Sequence, residues 1–408
     1  MIERKTPAKK ELQKLLNYYK NNLFKEAEDL ALSISENYPD HPFSWKVLGS
    51  IYRQSNELLK SLDCNTNANL LDPKDYEIYN NLGNLFHDLG RFEEAVFNFK
   101  KVVELNPNFQ NAYYNLANVL RKLGEVENAK LNYYLAIEKN PDFGDIYWNL
   151  SSLASDINEA EECIDKCLHL YFNNQNEKFI RAKIMKSGLR YYLGDKTLFE
   201  ELINSNLNNH AYLRSLKWIF SLPKLPNLQF NRWSFYDSIA DKSINSRPFY
   251  EFGVWTGASF RYLLKFFKKG FGFDTFSGLP EDWDTGIKLE KLGSYSNYGF
   301  VPQIKGGEFI KGKFRETLPK FFSIKQPTAS VINFDADLYS STIFALNESK
   351  SVIDKHTILI FDEFIMNESW EKDEFRALNE FCSENDFKYE VEAISFFSKQ
   401  VAVKLLKI

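Results

Sequence analysis

The sequence predicts two domains of different fold class, an all-helical repeat array followed by an α/β domain built on a parallel sheet. The chain has 408 residues, and a single hydrophobic core rarely grows past about 250 to 300 residues before a chain divides. Its N-terminal part repeats every 34 residues, a period that indicates a solenoid. After Pro248 strands alternate with helices, which is typical of a parallel sheet.

Three columns of residues keep the 34-residue step in phase. The columns are a proline (Pro39, Pro73, Pro107, Pro141), a leucine (Leu48, Leu82, Leu116, Leu150) and a small residue (Ala27, Ser61, Ala95, Ala129). Each unit reads as two amphipathic helices joined by a turn and ended by the proline. These columns resemble those of the tetratricopeptide repeat (TPR), and the resemblance covers about residues 9–170. We therefore predict a TPR solenoid over 9–170.

The remaining chain is predicted to form two further parts. Residues 171–227 have helical periodicity without a clear repeat and are interpreted as a helical adaptor, whereas residues 228–408 form the α/β domain. Stacked helix pairs leave a groove, and the resemblance implies that a protein or peptide partner binds there. The same groove is equally compatible with packing on the C-terminal domain or with self-association.

Charge and hydropathy exclude some classes of partner. The formal net charge is −4, so the chain lacks the basic footprint expected of a protein that binds nucleic acid. The first ten residues are charged and offer no apolar signal-peptide core, and no apolar run reaches the roughly eighteen residues of a transmembrane helix. We expect no membrane span and a cytoplasmic protein.

Seven strands are expected after Pro248. The candidate ranges are 249–254, 271–274, 308–311, 330–334, 357–361, 387–393 and 400–406. The first strand runs into a turn in which Gly253 and Gly257 allow close approach of a ligand, and Asp274 ends the second strand where its carboxylate can accept from ribose hydroxyls. A dinucleotide fits less well because the G-x-G-x-x-G spacing is absent. Glu251 favours a cationic ligand such as the sulfonium of S-adenosylmethionine.

Two acidic clusters, 333–339 and 361–364, each follow an apolar strand and are expected at the same edge of the sheet. Carboxylates that converge there need a cation, and oxygen ligands favour Mg²⁺ or Ca²⁺. For Asp335, Asp362 and Glu363 the pattern favours a metal site. The alternative for such residues is helix capping, which suits Asp337 before the next helix.

Five motifs in order carry a resemblance to a known enzyme family. They are Gly253-Val254-Trp255-Thr256-Gly257, Asp274 to Pro280, Phe314 to Pro319, Asp335 to Thr342 and Asp362-Glu363-Phe364. Together they resemble the macrocin O-methyltransferase family over about residues 245–400. The resemblance implies a class I, Rossmann-like methyltransferase that moves a methyl group from S-adenosylmethionine to a hydroxyl of a sugar, glycan or natural product, with a divalent cation such as Mg²⁺ holding the acceptor.

The resemblance also implies roles for individual residues. The cofactor-binding positions are Glu251, Gly253, Thr256, Gly257, Asp274 and Ser277, with Glu251 and Gly253 under the methionine part. The metal-ligand positions are Asp335, Asp362 and Glu363, the last of which is commonly aspartate in the family. Asp337 and Tyr339 are the candidate catalytic bases. His356 precedes a strand and is therefore expected at the opposite edge of the sheet, in a structural role.

Two alternatives to this function stay open. The first is a methyltransferase-like fold without catalysis that serves as an interaction scaffold. The second keeps the fold but changes the chemistry to hydroxylation. The long segment Ser277 to Gly307 has little periodicity and is interpreted as a lid over the acceptor, or else as a surface insertion without substrate contact.

Overall fold

A computed structural model describes residues 6–174 and 176–407. The described chain divides into two compact units on either side of the bond between Asp142 and Phe143. The first unit is entirely helical, and the second is a mixed α/β unit with a large, mostly parallel sheet. None of the helices in these residues combines the length and the apolar character that crossing a membrane requires.

The described residues of the first unit form four consecutive helix pairs. Their bounds are α1 (Lys9–Lys20) and α2 (Phe24–Asn37), α3 (Pro42–Gln54) and α4 (Leu58–Leu71), α5 (Tyr76–Asp88) and α6 (Phe92–Leu105), and α7 (Gln110–Lys122) and α8 (Val126–Lys139). The small-residue column lies at helix contacts, where Ala27, Ser61, Ala95 and Ala129 are all completely buried. The predicted pairs are confirmed in this unit.

The turn inside each pair holds one residue in the left-handed region, at a constant 34-residue step. Asn22 and Asn56 occupy it with φ of 59° in the first two pairs, and Gly90 and Gly124 occupy it with φ of 68° and 77° in the next two. Glycine and asparagine are the residues that adopt this conformation at least cost. The column therefore fixes the same turn geometry in all four pairs.

The second unit begins with five further α-helices. They are α9 (Gly144–Ser151), α10 (Ile157–Tyr171), α11 (Glu177–Tyr192), α12 (Thr197–Ile203) and α13 (Ala211–Ser221), with a 3₁₀ turn at Phe172–Asn174. They share one hydrophobic core with the sheet that follows. In that core, for example, the ring of Trp148 lies 5.5 Å from the ring of Phe397. The division at 142 lies inside the predicted repeat array of 9–170, since α9 and α10 pack within the α/β unit, and the limits of the predicted domains stay predictions.

The rest of the second unit alternates strands and helices. Its elements are β1 (Asn227–Gln229), α14 (Arg232–Ala240), β2 (Phe249–Phe252), α15 (Ala258–Leu263), β3 (Gly270–Asp274), β4 (Trp283–Asp284), β5 (Leu289–Glu290), β6 (Gly307–Lys311), α16 (Phe314–Phe322), β7 (Val331–Phe334), α17 (Tyr339–Ser349), β8 (Ile358–Phe361), α18 (Glu374–Glu384), β9 (Phe387–Ser395) and β10 (Val401–Lys407). All seven predicted strands are present. The three-residue β1 and the small β4–β5 pair were not predicted.

Eight of these strands form one sheet in the order β1-β9-β10-β8-β7-β2-β3-β6. The five strands from β8 to β6 are parallel, and β10 runs antiparallel to both β8 and β9. Strands β9 and β10 form an antiparallel hairpin that is not the sheet edge, because β1 pairs in parallel with β9. Strand order reverses at β2, since β3 lies on one side and β7 on the other. Such a switch point leaves a crevice at the carboxyl ends of the strands.

Candidate functional site at the carboxyl edge of the sheet

Strained backbone marks the carboxyl ends of the central strands. Trp255, Phe276, Asp337 and Met366 follow β2, β3, β7 and β8, and their φ values of 51°, 56°, 59° and 60° all lie in the left-handed region. For residues other than glycine this conformation costs on the order of 1 kcal/mol each and persists only where the surroundings impose it. Their gathering at one edge distinguishes that edge as the candidate site.

The turn after β2 depends on Gly253. Its φ is +91°, and a Cβ there would lie 1.8 Å from the carbonyl oxygen of Asp335. Any side chain would therefore force apart the turn and the chain that leaves β7. Gly257, also at positive φ, ends the turn directly before α15. The two glycines thus permit the tight turn, whereas close approach of a ligand to them stays a prediction.

Asp274 ties this turn to the loop after β3. Its Oδ2 accepts hydrogen bonds from the amides of Val254 and Trp255, both at 2.7 Å, and its Oδ1 accepts from the amide of Phe276 at 2.6 Å. A carboxylate offers about four lone-pair positions, so capacity for a further donor remains. Contact with ribose hydroxyls stays a prediction.

Glu251 is completely buried in the central strand β2. Its Oε1 accepts from Ser259 Oγ at 2.6 Å and from Asn333 Nδ2 at 2.8 Å, while Oε2 has no hydrogen-bond partner among the described residues. Burial raises the pKa of this carboxyl to about 8. At neutral pH it is therefore mainly protonated and offers hydrogen bonding rather than the negative charge on which the sequence argument relied.

The other two predicted cofactor residues lie in the neighbouring loops. Thr256 is half-buried in the glycine turn. Ser277 is exposed in the loop after β3, where its amide donates to Thr275 Oγ1 at 3.1 Å. Both residues lie beside the crevice, and their contact with a cofactor stays a prediction.

Four carboxylates, Asp335, Asp337, Asp362 and Glu363, follow β7 and β8; we call them the acidic edge. Asp362 accepts from Nη2 of Arg232 at both oxygens, at 2.6 and 2.5 Å, and from Gln400 Nε2 at 2.8 Å. Nη1 of Arg232 also lies 3.8 Å from Oδ2 of Asp335. A guanidinium thus supplies a positive charge to two of the three predicted metal ligands.

The third predicted ligand, Glu363, pairs with a lysine. Its Oε2 lies 2.7 Å from Nζ of Lys399, and its amide donates to Oε2 of the buried Glu374 at 3.1 Å. Across residues 6–174 and 176–407 no group of three or more acidic, histidine or cysteine residues is placed to hold a metal ion. The predicted Mg²⁺ ligands reach the same edge, but their arrangement with basic partners does not fit a metal.

Asp337 is not a helix cap. Helix α17 begins at Tyr339 with Leu338 as its N-cap and has no side-chain capping bond, so the capping alternative is wrong. The carboxylate of Asp337 makes no hydrogen bond to any described residue. Burial, together with the charges of Glu363 and Asp362, raises the pKa of Asp337 well above its ordinary value.

Tyr339, the other candidate base, is committed to a different contact. Its hydroxyl donates to Glu380 of α18, and the guanidinium carbon of Arg376 lies 4.1 Å from its ring centre. The hydrogen bond to Glu380 raises the pKa of the phenol. These contacts give no support to its role as a base. His356 is exposed in the turn before β8, at the opposite edge as expected.

The segment 277–307 contacts the glycine turn. The ring of Tyr295 stands edge-on to that of Trp255 at 6.3 Å, and Asn297 Nδ2 donates to the carbonyl of Trp255 at 3.4 Å. Ile304 also packs against Gly257. The same segment exposes six large apolar side chains: Ile287, Leu289, Leu292, Tyr295, Tyr298 and Phe300. The segment therefore lies against the glycine turn, and both the lid and the surface insertion without substrate contact stay open predictions.

The first unit carries a separate surface depression of about 440 Å³ between α4, α5 and α6. Phe86 of α5 and Phe97 of α6 line it, and Phe97 is 59% exposed. Neighbouring pairs are also joined by charge, since Nζ of Lys46 lies 2.7 Å from Asp75 and 2.5 Å from Glu77. The depression therefore combines an exposed aromatic ring, that of Phe97, with neighbouring polar side chains.

Sequence reasoning missed Arg232 and Lys399. Arg232 precedes its partner Asp362 by 130 positions, and Lys399 follows Glu363 by 36. No spacing rule links residues so far apart. The available signal was weaker: a cluster of carboxylates without histidine or cysteine needs positive charge, and arginine is the residue best suited to pair with them.

Comparison with known proteins identifies the repeats. Residues 83–124 match the family model described as TPR repeat, and residues 110–143 match the model described as tetratricopeptide repeat. The N-terminal region therefore contains TPR repeats, as predicted. No curated protein matches the chain.

Three solved structures that are similar to part of this chain are described by their titles. The structure titled for pilF of Pseudomonas aeruginosa is 15% identical, with a TM-score of 0.43, and the match covers 51% of this chain and 95% of that one. PilW, titled a type IV pilus biogenesis factor, is 17% identical, with a TM-score of 0.44 and coverage of 51% and 96%. YrrB, titled a TPR protein with an unusual peptide-binding site, is 17% identical, with a TM-score of 0.38 and coverage of 43% and 92%.

Proposed function

We propose that the second unit is an S-adenosylmethionine-dependent methyltransferase acting on a hydroxyl of a sugar, glycan or related acceptor, and that the TPR repeats recruit a protein or peptide partner. The observation that carries the proposal is the sheet: five parallel strands, an antiparallel β10 inserted beside β8, and a glycine turn at the strand where the order reverses. This combination suits a nucleoside-like ligand at the switch point.

Several groups of the chain suit that cofactor. Asp274 keeps lone-pair capacity at the end of β3, next to the turn that Gly253 draws close to β7. The partnerless Oε2 of Glu251 is a buried polar atom that a ligand group can satisfy. S-adenosylmethionine, when bound, supplies an electrophilic methyl group, and the chain has to bind it, exclude water and receive a proton from the acceptor.

Asp337 is the group we propose to receive that proton. Its carboxylate follows β7, beside the crevice, and is not engaged by any described hydrogen-bond donor. A general base needs such a free lone pair within reach of the acceptor hydroxyl. Segment 277–307 excludes water by covering the turn, which strengthens the electrostatic interactions inside the site.

The partner role of the first unit is proposed from its surface. Stacked helix pairs present a continuous face to a ligand, and the depression is lined by Phe86 and Phe97 together with polar side chains that include Glu93 and Glu94. Such a site suits a peptide with one large apolar side chain.

The test begins with calorimetric titration of the full chain with S-adenosylmethionine. We expect saturable binding that weakens at least about tenfold in Asp274→Asn, because three backbone donors lose a charged acceptor. Asp354→Asn is the matched control, since Asp354 also accepts from a backbone amide, that of His356, but before β8. Absence of binding at millimolar cofactor would sink the proposal.

A second candidate is a methyltransferase-like scaffold without catalysis. The observation that favours it is the pairing of Asp362 and Glu363 with Arg232 and Lys399, which removes two acidic groups from direct contact with an acceptor. Transfer of a labelled methyl group from S-adenosylmethionine into a pool of sugars and glycans separates the two. Cofactor binding without any transfer would favour the scaffold.

A further inference from the structure

Convergent carboxylates at a sheet edge need a positive charge, and the source of that charge decides whether the site depends on metal. The residues that resemble metal ligands are Asp335, Asp362 and Glu363. In the structure each has a basic side chain nearby, and those side chains come from outside both acidic motifs.

Arg232 is held firmly in its position. It is the first residue of α14, and Asn231 caps that helix by accepting from the amides of Trp233 and Ser234 at 3.0 and 2.9 Å. From there Nη2 donates to both oxygens of Asp362. Tyr236, one turn later, accepts from Gln400 Nε2 at 3.2 Å, and the same amide donates to Asp362. Asp362 is thus already bound by three charged or polar contacts.

A divalent cation on Asp362 would compete with this arginine. The guanidinium spans both carboxylate oxygens, so a metal at normal ligand distances of about 2.1 Å would lie against another positive charge. Lys399 creates the same conflict at Glu363, where its Nζ lies 2.7 Å from Oε2. Both conflicts disappear only if the basic side chains move away.

We infer that Arg232 and Lys399 are built-in cations that take the place of a divalent metal at the acidic edge, so that this site is metal-independent. The inference concerns the cation of the proposed methyltransferase site. Its tests, however, use metal binding and unfolding rather than activity, so they can fail independently of the proposed function.

The first test uses the unaltered chain. Mg²⁺ and Mn²⁺ are titrated calorimetrically into EDTA-treated protein, and thermal unfolding is recorded with EDTA and with millimolar metal. We expect no saturable heat and midpoints that agree within about 1 °C. Binding of one metal ion per chain, with a midpoint raised by about 2 °C or more, would overturn the inference.

The second test removes one built-in cation. Arg232→Met leaves Asp335 and Asp362 without their charge partner, and we expect Mg²⁺ or Mn²⁺ to raise the unfolding midpoint of this variant by at least about 2 °C. Arg247→Met is the control, because Arg247 also bonds both oxygens of an aspartate, Asp354, and is 27% exposed compared with 32% for Arg232. An equal metal response in the two variants would overturn the inference.

Lys399→Met provides a second variant if Arg232→Met does not fold. Loss of the lysine charge frees Glu363 and leaves Arg232 in place. We therefore expect Mg²⁺ or Mn²⁺ to raise the unfolding midpoint less in this variant than in Arg232→Met. Half-buried Lys404, which lies 3.5 Å from Glu392 on the neighbouring strand, supplies the matched change Lys404→Met. No metal response in Lys399→Met beyond that of Lys404→Met would count against a cation role for Lys399.

Discussion

The side-chain amide of Asn333 donates a 2.8 Å hydrogen bond to Oε1 of Glu251, its direct register partner on the neighbouring strand. The two residues lie in the middle of β7 and β2, and both are completely buried. An amide can satisfy either the acid or the carboxylate form of its partner. The pair therefore tolerates the protonated carboxyl that burial favours.

The protonation of Glu251 predicts a pH dependence of stability. Its pKa is raised from 4.5 to about 8 in the folded chain, so the unfolded state loses its proton first as pH rises. The free energy of unfolding therefore falls between about pH 4.5 and 8 and levels off above that range. Glu251→Gln cannot ionise, so its free energy of unfolding should exceed that of the unaltered chain by an amount that grows through this window and reaches roughly 3 to 5 kcal/mol near pH 8.

Urea unfolding at pH 5, 6.5 and 8 measures this difference. Glu308→Gln, a change at an exposed glutamate of β6, is the control for the loss of an acidic group. Parallel pH profiles for Glu251→Gln and the unaltered chain would contradict the prediction.

The close approach at Gly253 predicts a large cost for any side chain. In Gly253→Ala the new Cβ meets the carbonyl oxygen of Asp335, and we expect a loss of roughly 3 kcal/mol or more in the free energy of unfolding, because the backbone has to shift. Gly194→Ala is a matched control, since Gly194 has the same φ of +91° and nothing within 4 Å of a new Cβ. It should cost only about 1 kcal/mol. Chemical unfolding of both variants gives the comparison, and equal losses would show that the contact with Asp335 is unimportant.

The left-handed residue in the turn of each helix pair predicts that two substitutions of Asn56 differ in their effect on stability. Asn56 has φ of 59° and occupies the place that Gly90 takes in the next pair. Asn56→Gly should be neutral or slightly stabilising, whereas Asn56→Ala should cost about 1 kcal/mol. Thermal unfolding followed by circular dichroism measures both. Ser55→Ala, at the adjacent helical φ of −80°, is the control and should change little; a similar loss in all three variants would argue against the left-handed turn.

The loop that follows β8 should depend on Ser215 of helix α13 for its stability. Oγ of Ser215 in α13 accepts from the amide of Met366 at 2.9 Å, and Met366 itself has φ of 60°. Ser215→Ala leaves this buried amide without a partner, which should cost about 1 to 3 kcal/mol. Ser221→Ala is the control, because its hydroxyl is exposed and bonds only within its own helix. Urea unfolding that fails to distinguish the two would contradict the expected link.

The shared core predicts where the chain can be divided. A fragment of residues 143–408 should unfold cooperatively, whereas the fragment 228–408 of the predicted α/β domain should expose the apolar surface that α11 and α13 cover, including Phe396 and Met366. Near-ultraviolet circular dichroism and binding of a hydrophobic dye compare the two fragments. A native-like, cooperatively unfolding 228–408 fragment would support the predicted limit at 228 instead.

Elements of the fold could be predicted from the sequence where neighbouring residues determine them. The repeat columns and the apolar strands follow from periodicity, which reports which face of a helix or strand is buried. Strand β1 escaped prediction because three residues, Asn227 to Gln229, contain no period, and it forms only by pairing with β9 more than 160 residues later.

The site was less predictable because its chemistry depends on long-range pairing. Asp362 and Glu363 have the spacing of metal ligands, yet Arg232 and Lys399 change what those carboxylates are able to bind. Likewise, the charge of Glu251 depends on its burial between β3 and β7 and not on its neighbours in the chain. Residue type and order identified the edge of the sheet, whereas protonation and partners required the fold.

The close approach at Gly253 involves only main-chain atoms, the carbonyl group of Asp335 and the amide nitrogen of Ala336. It is therefore indifferent to the side chain that position 335 carries. Mutations there can alter the chemistry offered to an acceptor while the frame that shapes the glycine turn stays the same. The fold thus separates a part of the site that is free to diversify from a part that admits a single residue type.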